Sequence, residues 1–514
     1  MSPSDQNAPS PHAVLDGGDL DCGSGLLLLI RRQIDPLDPG QVLEIRSTEQ
    51  SVEEDLPAWC RMTGNDLLNA TKEGRQLRFL VSKGPRMDLG GSAGTPGRVV
   101  RSILPPAASG AGPRIDSGIL PQPASVPAIH PLSVMGIGSW PRPRWMLQAI
   151  HDHLEGRLAE QEFQQTADDA VRLAVQAQLQ AGVDVVTDGE QRRDSYASFV
   201  GSILDNCQLI PLTDLLPYVD DPQKFEEELR ALDVPAGKIR HPAVFGPLVR
   251  SRPLAVHELR FVQTLTDKPV KIALPGPYLL TRTMWMECIS DRAYETREKL
   301  ASDIVRVLRE ELFDLLAAGA ALVQFDEPVL SEVAFGKAAG NRSFMCGALS
   351  EKRSMPEELA FAGELLSRVT EGVDPARTAV HICRGNWTRD ESVALRGSYE
   401  PLIPLLKTIH VGTFFLELCT PRAGEIEVLS SLPDNVRIGV GVVNQKLDAV
   451  ESVDQIVRHA EAAIRVLGPH RVLLNPDCGF ATFADNPIAS AEIATAKLAA
   501  ISQAAAILRD RHGC

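Results

Sequence analysis

From His130 to the C-terminus the chain repeats one phrase: a helical stretch, then a short apolar run that ends on Gly, Pro or a reactive side chain. Eight such strand ends fall at residues 133–139, 183–189, 270–277, 321–328, 378–385, 413–419, 437–444 and 472–479. A strand that is apolar on both faces must be covered on both, and the alternating helices supply that cover, which points to parallel sheet. Eight β/α units over roughly 385 residues predict an α/β fold, a (β/α)8 TIM barrel, with its largest insertion near residues 195–268. A doubly wound open sheet is the competing arrangement. The barrel carries a further expectation, that chemistry gathers at the C-terminal ends of different strands.

Ahead of the barrel, assigned to residues 128–514, the chain divides into three parts. Residues 1–12 are polar and Pro/Ser-rich, as a frayed terminus is. Residues 13–84 read as a small two-layer α/β sandwich: a Leu/Asp segment, an apolar helix over 26–34, a turn at Asp38-Pro39-Gly40, an alternating strand Val42-Leu43-Glu44-Ile45-Arg46, a helix near 52–63, and a final strand at 77–81. Residues 85–127 turn to Gly, Ala, Ser and Pro without periodicity and read as a flexible linker.

Charge and cysteine usage narrow the function. A net charge of -15, with no Lys/Arg-rich block, excludes a nucleic-acid partner. The apolar N-terminal run over 26–30 is too short to span a bilayer, so no membrane association is expected. Nine scattered cysteines, an odd number, argue against a disulfide framework and for metal-binding or reactive thiols in a reducing, cytoplasmic setting.

The strand ends supply the ligands. His381 and Cys383 are two residues apart at the end of an apolar strand, so they share a face. Glu417 lies within the apolar run Phe414-Phe415-Leu416-Glu417-Leu418, where a carboxylate needs a cation. Cys478, in Asn475-Pro476-Asp477-Cys478-Gly479, adds a second thiol at the same level. One His, two Cys and one Glu form a tetrahedral set for Zn2+ and are too soft for magnesium or calcium. Cys419 competes as a ligand, being on the face of Glu417. In the small domain, Cys22 precedes the first helix, where unpaired backbone N–H groups and the helix dipole favour a thiolate nucleophile. Ser24 as a helix cap is the structural alternative there, and Cys60 is assigned to the small core.

Residues 13–84, including Asp55-Leu56-Pro57-Ala58-Trp59-Cys60, resemble the TusA-like sulfur-carrier family, in which the cysteine at the position of Cys22 carries a persulfide. The family's Cys-Pro-x-Pro motif reads Cys22-Gly23-Ser24-Gly25 here. From residue 130 onward, the motifs around His381 and Cys383, Glu417 and Cys478 resemble the zinc-ligand motifs in the catalytic barrel of cobalamin-independent methionine synthases. Gly136-Ile137-Gly138-Ser139-Trp140-Pro141, Asp188-Gly189-Glu190 and Gln324-Phe325-Asp326-Glu327-Pro328 are similar to that family's substrate-binding segments.

This resemblance implies a zinc-dependent methyltransferase that activates a thiol, homocysteine first. Glu190 and Asp326 would hold its ammonium, and backbone N–H groups of Ile137, Gly138 and Ser139 its carboxylate. A helix-cap role for Asp326 and a surface salt-bridge role for Glu190 are the competing expectations. The folate-contacting segments differ: Gly237-Lys238 stand where Arg-Cys is expected and Thr283 where a tryptophan is, which implies a donor other than methylfolate polyglutamate. Lys446 replaces the family's proton-donating histidine and is the candidate for its role. Other expectations are alkylation of a different thiol, as in epoxide opening by coenzyme M, and sulfur transfer from a Cys22 persulfide. A persulfide donor or a methyl-donor protein would be the partner.

Overall fold

The computed structural model describes residues 11–18, 26–34, 37–50, 52–63, 65–84, 120–211, 240–285, 290, 293–336, 353–386 and 388–514. Cys22, Ser24, Gly237 and Lys238 lie outside these residues, as does most of the linker.

The small domain has strands β1 (Ala13–Asp16), β2 (Val42–Ser47), β3 (Asp66–Glu73) and β4 (Gln76–Ser82), in the sheet order β1-β2-β4-β3. Leu43 and Ile45 alternate onto one face and share a buried cluster with Leu27 and Ile30 of helix Leu27–Ile34 and Leu56, Trp59 and Cys60 of helix Val52–Met62. The sequence pattern missed β3, a polar edge strand without clear alternation.

The second region contains β5 (Asp205–Pro211) and β6 (Arg240–Val249), an antiparallel pair inside the predicted insertion. Six parallel strands follow: β7 (Lys271–Pro275), β8 (Leu322–Asp326), β9 (Thr378–Ile382), β10 (Thr413–Leu416), β11 (Arg437–Val443) and β12 (Val472–Pro476). They lie side by side in sequence order. The first two predicted strands are reduced to single bridges. Val134 pairs with Leu474 of β12, Met135 with Val185, and Val186 with Val270 beside β7, all parallel. Parallel pairing therefore leads from one edge of the six-stranded sheet through two short segments to the other.

Neighbouring strand residues go to different clusters. Leu322, Ala379, Phe415 and Leu473 pack with Met135 and Val185 in one small cluster, while Val323, Val380, Phe414 and Leu474 join the large core shared with the helices. Period-two alternation thus buries both faces, as covered parallel strands require. Helix Ala491–His512 is long and apolar enough to cross a membrane by length and composition. Its Leu498, Ile501, Ala504, Ala505 and Leu508 are buried in the large core.

Candidate metal and thiol site

His381 is the penultimate residue of β9, Cys383 follows the strand directly, and Cys478 follows β12. Their ligand atoms all lie within 4.8 Å of one another, and all three side chains are buried. Cys478 is fixed by its neighbour Asp477, whose Oδ1 accepts from the backbone N–H groups of Leu418 and Cys419 at 2.9 and 2.8 Å. This ties the end of β12 to the segment after β10. It also requires a glycine at 441, because a Cβ there would stand 2.0 Å from Asp477 Oδ1.

The ring of His381 is oriented from behind. Nδ1 lies 2.9 Å from Asp326 Oδ1, and Nε2 is buried without a hydrogen-bond partner. An orphaned imidazole nitrogen beside two thiols fits a soft metal ion: one N and two S donors match zinc. Burial disfavours the charged ring, but the hydrogen bond and charge of Asp326 outweigh it and raise the His381 pKa above its ordinary value. A hydrogen bond with Cys478 brings the Cys383 thiol down to about 7 against the effect of burial, and Cys478 is correspondingly raised.

Glu417 is buried but outside this compact group. Its Oε1 is 2.7 Å from Arg422 Nε, and its Oε2 accepts from the Arg384 backbone N–H at 3.1 Å. Cys419 is also outside the group; burial raises its thiol pKa.

A chamber beside the triad is lined by Ile137, Ser139, Glu190 and Asp326, four of the residues assigned from sequence to the substrate, together with Tyr196, Asn386, Thr482 and Phe483, which were not singled out there. Gly138 and Gly479 allow close approach: a Cβ would come 2.2 Å from Glu190 Oε1 in the first case and 2.2 Å from Ser139 Oγ in the second. Asn386 donates through Nδ2 to Gly479 O and Thr482 Oγ1, both at 2.7 Å, linking the loops after β9 and β12. These extra residues follow the strand-end motifs by a few positions, which is the signal that could have found Asn386, Thr482 and Phe483.

Glu190 has a left-handed backbone, φ 54°, unusual for a residue with a Cβ. The turn is held by Asp188 Oδ1, which accepts from the Glu190 N–H at 3.1 Å, and by Arg142 Nη2, which donates to Glu190 O at 2.5 Å. Glu190 Oε2 is buried and unpartnered. Burial pushes this carboxyl up to about 7 despite nearby Arg193. The surface salt-bridge alternative therefore fails. The helix-cap alternative for Asp326 fails as well: helix Val329–Phe335, which follows Pro328, has no side-chain cap, and Asp326 Oδ1 meets His381 instead. Glu327 serves another helix, accepting from the N–H groups of Tyr278 and Leu279 at 2.8 and 2.9 Å at the start of Pro277–Met284.

Lys446 is buried, but its Nζ donates to Thr388 O at 2.8 Å and it does not line the chamber. Burial lowers its pKa. Thr283, at the position of the expected tryptophan, is buried and donates to Leu280 O at 3.4 Å.

Both regions of the chain match known proteins. The family model for the sulfurtransferase TusA matches residues 24–83. A protein named methionine synthase from Saccharolobus solfataricus is 25% identical over 376 residues, covering 73% of this chain and 94% of its own length. One of the same name from Sulfurisphaera tokodaii is 25% identical over 344 residues, covering 67% of this chain and 84% of its own. A solved B12-independent methionine synthase from Shewanella sp. W3-18-1, in complex with selenomethionine, superposes with a TM-score of 0.55 at 23% identity, covering 74% of this chain and 98% of that one, a likeness of fold. The family model for the catalytic domain of cobalamin-independent synthase matches residues 132–212 and 233–506, and the chain belongs to that family.

Proposed function

We propose that this protein is a zinc-dependent methyltransferase that methylates a small-molecule thiol, homocysteine first, from a donor other than methylfolate polyglutamate. The observation that carries the reading is the unpartnered, buried His381 Nε2 next to the Cys383 and Cys478 thiols. His381, Cys383 and Cys478 would hold the zinc, with Glu417 as the fourth ligand once released from Arg422. Bound zinc supplies Lewis acidity that keeps a substrate thiol ionised at neutral pH.

The chain's own residues do the rest. Glu190 and Asp326 present carboxylates to the substrate ammonium, and the 137–139 segment presents backbone N–H groups to its carboxylate. Tyr196 and Phe483, edge to face with centroids 6.5 Å apart, form an apolar wall that excludes water from the thiolate. Lys446, held on Thr388 O, is placed to influence the charge of the site more than to touch substrate. The isolated bridges at 134–135 and 185–186, which link β12 to the start of β7, support reading the fold as a (β/α)8 barrel with the site at its C-terminal face. Thiols that must stay reduced suit the cytoplasm. Sulfur transfer from Cys22 rests on residues outside the described structure.

Metal analysis and a methylation assay test the proposal together. The parent should hold a single zinc and methylate homocysteine from a panel of methyl donors, while the Cys383→Ser, Cys478→Ser double variant should lose both properties. Zinc retained by the double variant would remove the metal assignment. A zinc-loaded parent that accepts no methyl group on homocysteine from any donor would remove the substrate assignment.

A further inference from the structure

Lys271 is the first residue of β7, and its side chain is fully buried inside the sheet region. Its Nζ donates to Gln324 Oε1 at 2.6 Å and sits 4.3 Å from the centre of the Phe415 ring. On the other side of the same amide, Gln324 Nε2 donates to Asp326 Oδ1 at 2.7 Å. That oxygen also meets His381 Nδ1 at 2.9 Å. A continuous chain of hydrogen bonds therefore runs from β7 through β8 to the metal-facing histidine on β9, and the unpartnered Nε2 is its open end.

Each link has a definite sense. A carboxylate accepts and an amide nitrogen donates, so Asp326 draws Nε2 of Gln324 to itself and leaves Oε1 for Lys271 Nζ, which donates to it. Two donors then converge on Asp326 Oδ1, which keeps it as the acceptor for the N–H at Nδ1 of His381 and leaves Nε2 as the lone-pair nitrogen. We propose that Lys271 and Gln324 are positioning residues that set the tautomer and orientation of His381 for metal binding, acting through Asp326. This rests on the zinc reading given above. Burial brings the Lys271 pKa down to about 7, against the opposing pull of the Asp326 and Glu190 carboxylates. A hydrophobic residue would fill the strand at lower desolvation cost, so an interior lysine calls for a compensating role.

The test uses full-length protein with Lys271→Met, Gln324→Met and the double variant, each keeping the length of the stem while removing the hydrogen bonds. Zinc dissociation constants come from competition with a chromophoric chelator, and cobalt-substituted protein reports the ligand field in its visible spectrum. Each single variant is expected to bind zinc about tenfold more weakly, in the range seen when outer-shell partners of a metal-bound histidine are lost. Because both act in one chain, the double variant should be no weaker than the worse single. Unchanged zinc affinity in folded Lys271→Met, or losses that multiply in the double variant, would overturn the inference. If Lys271→Met does not fold, Gln324→Met and nitrogen-15 histidine spectra of the zinc-loaded parent decide. Metal on Nε2 with a proton on Nδ1, and weakened binding in Gln324→Met, support the chain; metal on Nδ1 or undiminished binding defeats it. A parent that binds no zinc would defeat the metal reading and this inference together, whereas a zinc-binding parent with unaffected variants defeats the inference alone.

Discussion

Asp326 and His381 are direct neighbours in the register of β8 and β9, and Asp326 Oδ1 stands 2.9 Å from His381 Nδ1 with both side chains buried. The parallel pairing that builds the sheet therefore also aligns the histidine. Removing the carboxylate in Asp326→Ala should leave the fold intact but free the imidazole to rotate. We expect zinc affinity to fall about 10- to 100-fold, as for other lost outer-shell partners, measured by chelator competition. Wild-type affinity in this variant would mean that the ring is held by packing alone.

Glu190 gives the site a pH dependence with a definite sign. Burial places its carboxyl at about 7, so below that pH it is protonated and offers an ammonium no charge. Affinity for homocysteine should rise as pH climbs toward 7 and level off above it. Glu190→Gln should flatten that profile and weaken binding by about 2 kcal/mol, typical of a lost charge-assisted hydrogen bond. The unliganded fold has the opposite trend. It holds the Glu190 proton more tightly than the unfolded chain does, so this group's contribution to stability falls as pH rises from near the ordinary 4.5 to about 7. Calorimetric binding and urea unfolding across that window would measure both slopes, and parallel slopes in parent and variant would refute the assignment.

The strand ends were legible because chemistry and periodicity coincide there: His381 and Cys383 at i and i+2, Glu417 in an apolar run, Cys478 beside a turn. The six ordered strands could be read for the same reason, each being a compact apolar run. The segments around Met135 and Val185 were read as strands too, yet they contribute only single bridges. Lys271 could not have been singled out, since a lysine opening a strand ordinarily points to solvent. Tyr196 escaped because it lies in a loop with no period to mark it. Glu417 was read as a ligand from its place in an apolar run and from the resemblance of its motif to the family's zinc ligands, and sequence could not reveal that Arg422, five residues on, would engage it.

That ion pair leads to a test of the fourth ligand. Arg422 contacts Glu417 and Glu391, and its side chain is 8% exposed while that of Glu417 is 1% exposed. Arg422→Leu would leave Glu417 buried without its cation and should destabilise the metal-free protein by about 3 kcal/mol, as breaking buried pairs does. If Glu417 can turn to the metal, zinc should restore more stability in this variant than in the parent. Equal zinc stabilisation of the two proteins in urea titrations would confine Glu417 to its pairing with arginine.

Gly479 lies where the loop after β12 meets Ser139. Phe480 N–H donates to Ser139 O at 3.1 Å and Ala481 N–H donates to Ser139 Oγ at 3.3 Å, so the two segments are drawn together directly over the position where a Cβ on residue 479 would point. With only 2.2 Å to Ser139 Oγ, Gly479→Ala must displace the serine hydroxyl or part the loops. The serine can rotate, so the fold should survive, at a cost of about 1–3 kcal/mol as for other overpacked sites. The consequence should be local. Cys478 remains anchored through Asp477, so zinc affinity should stay close to that of the parent, while the shifted 137–139 segment should raise KM for homocysteine about tenfold, equivalent to roughly 1.4 kcal/mol. Steady-state kinetics together with zinc titration separate the two effects. A variant that loses zinc as readily as substrate would show that the loops act as one rigid unit, and an unchanged KM would remove the 137–139 backbone from substrate binding.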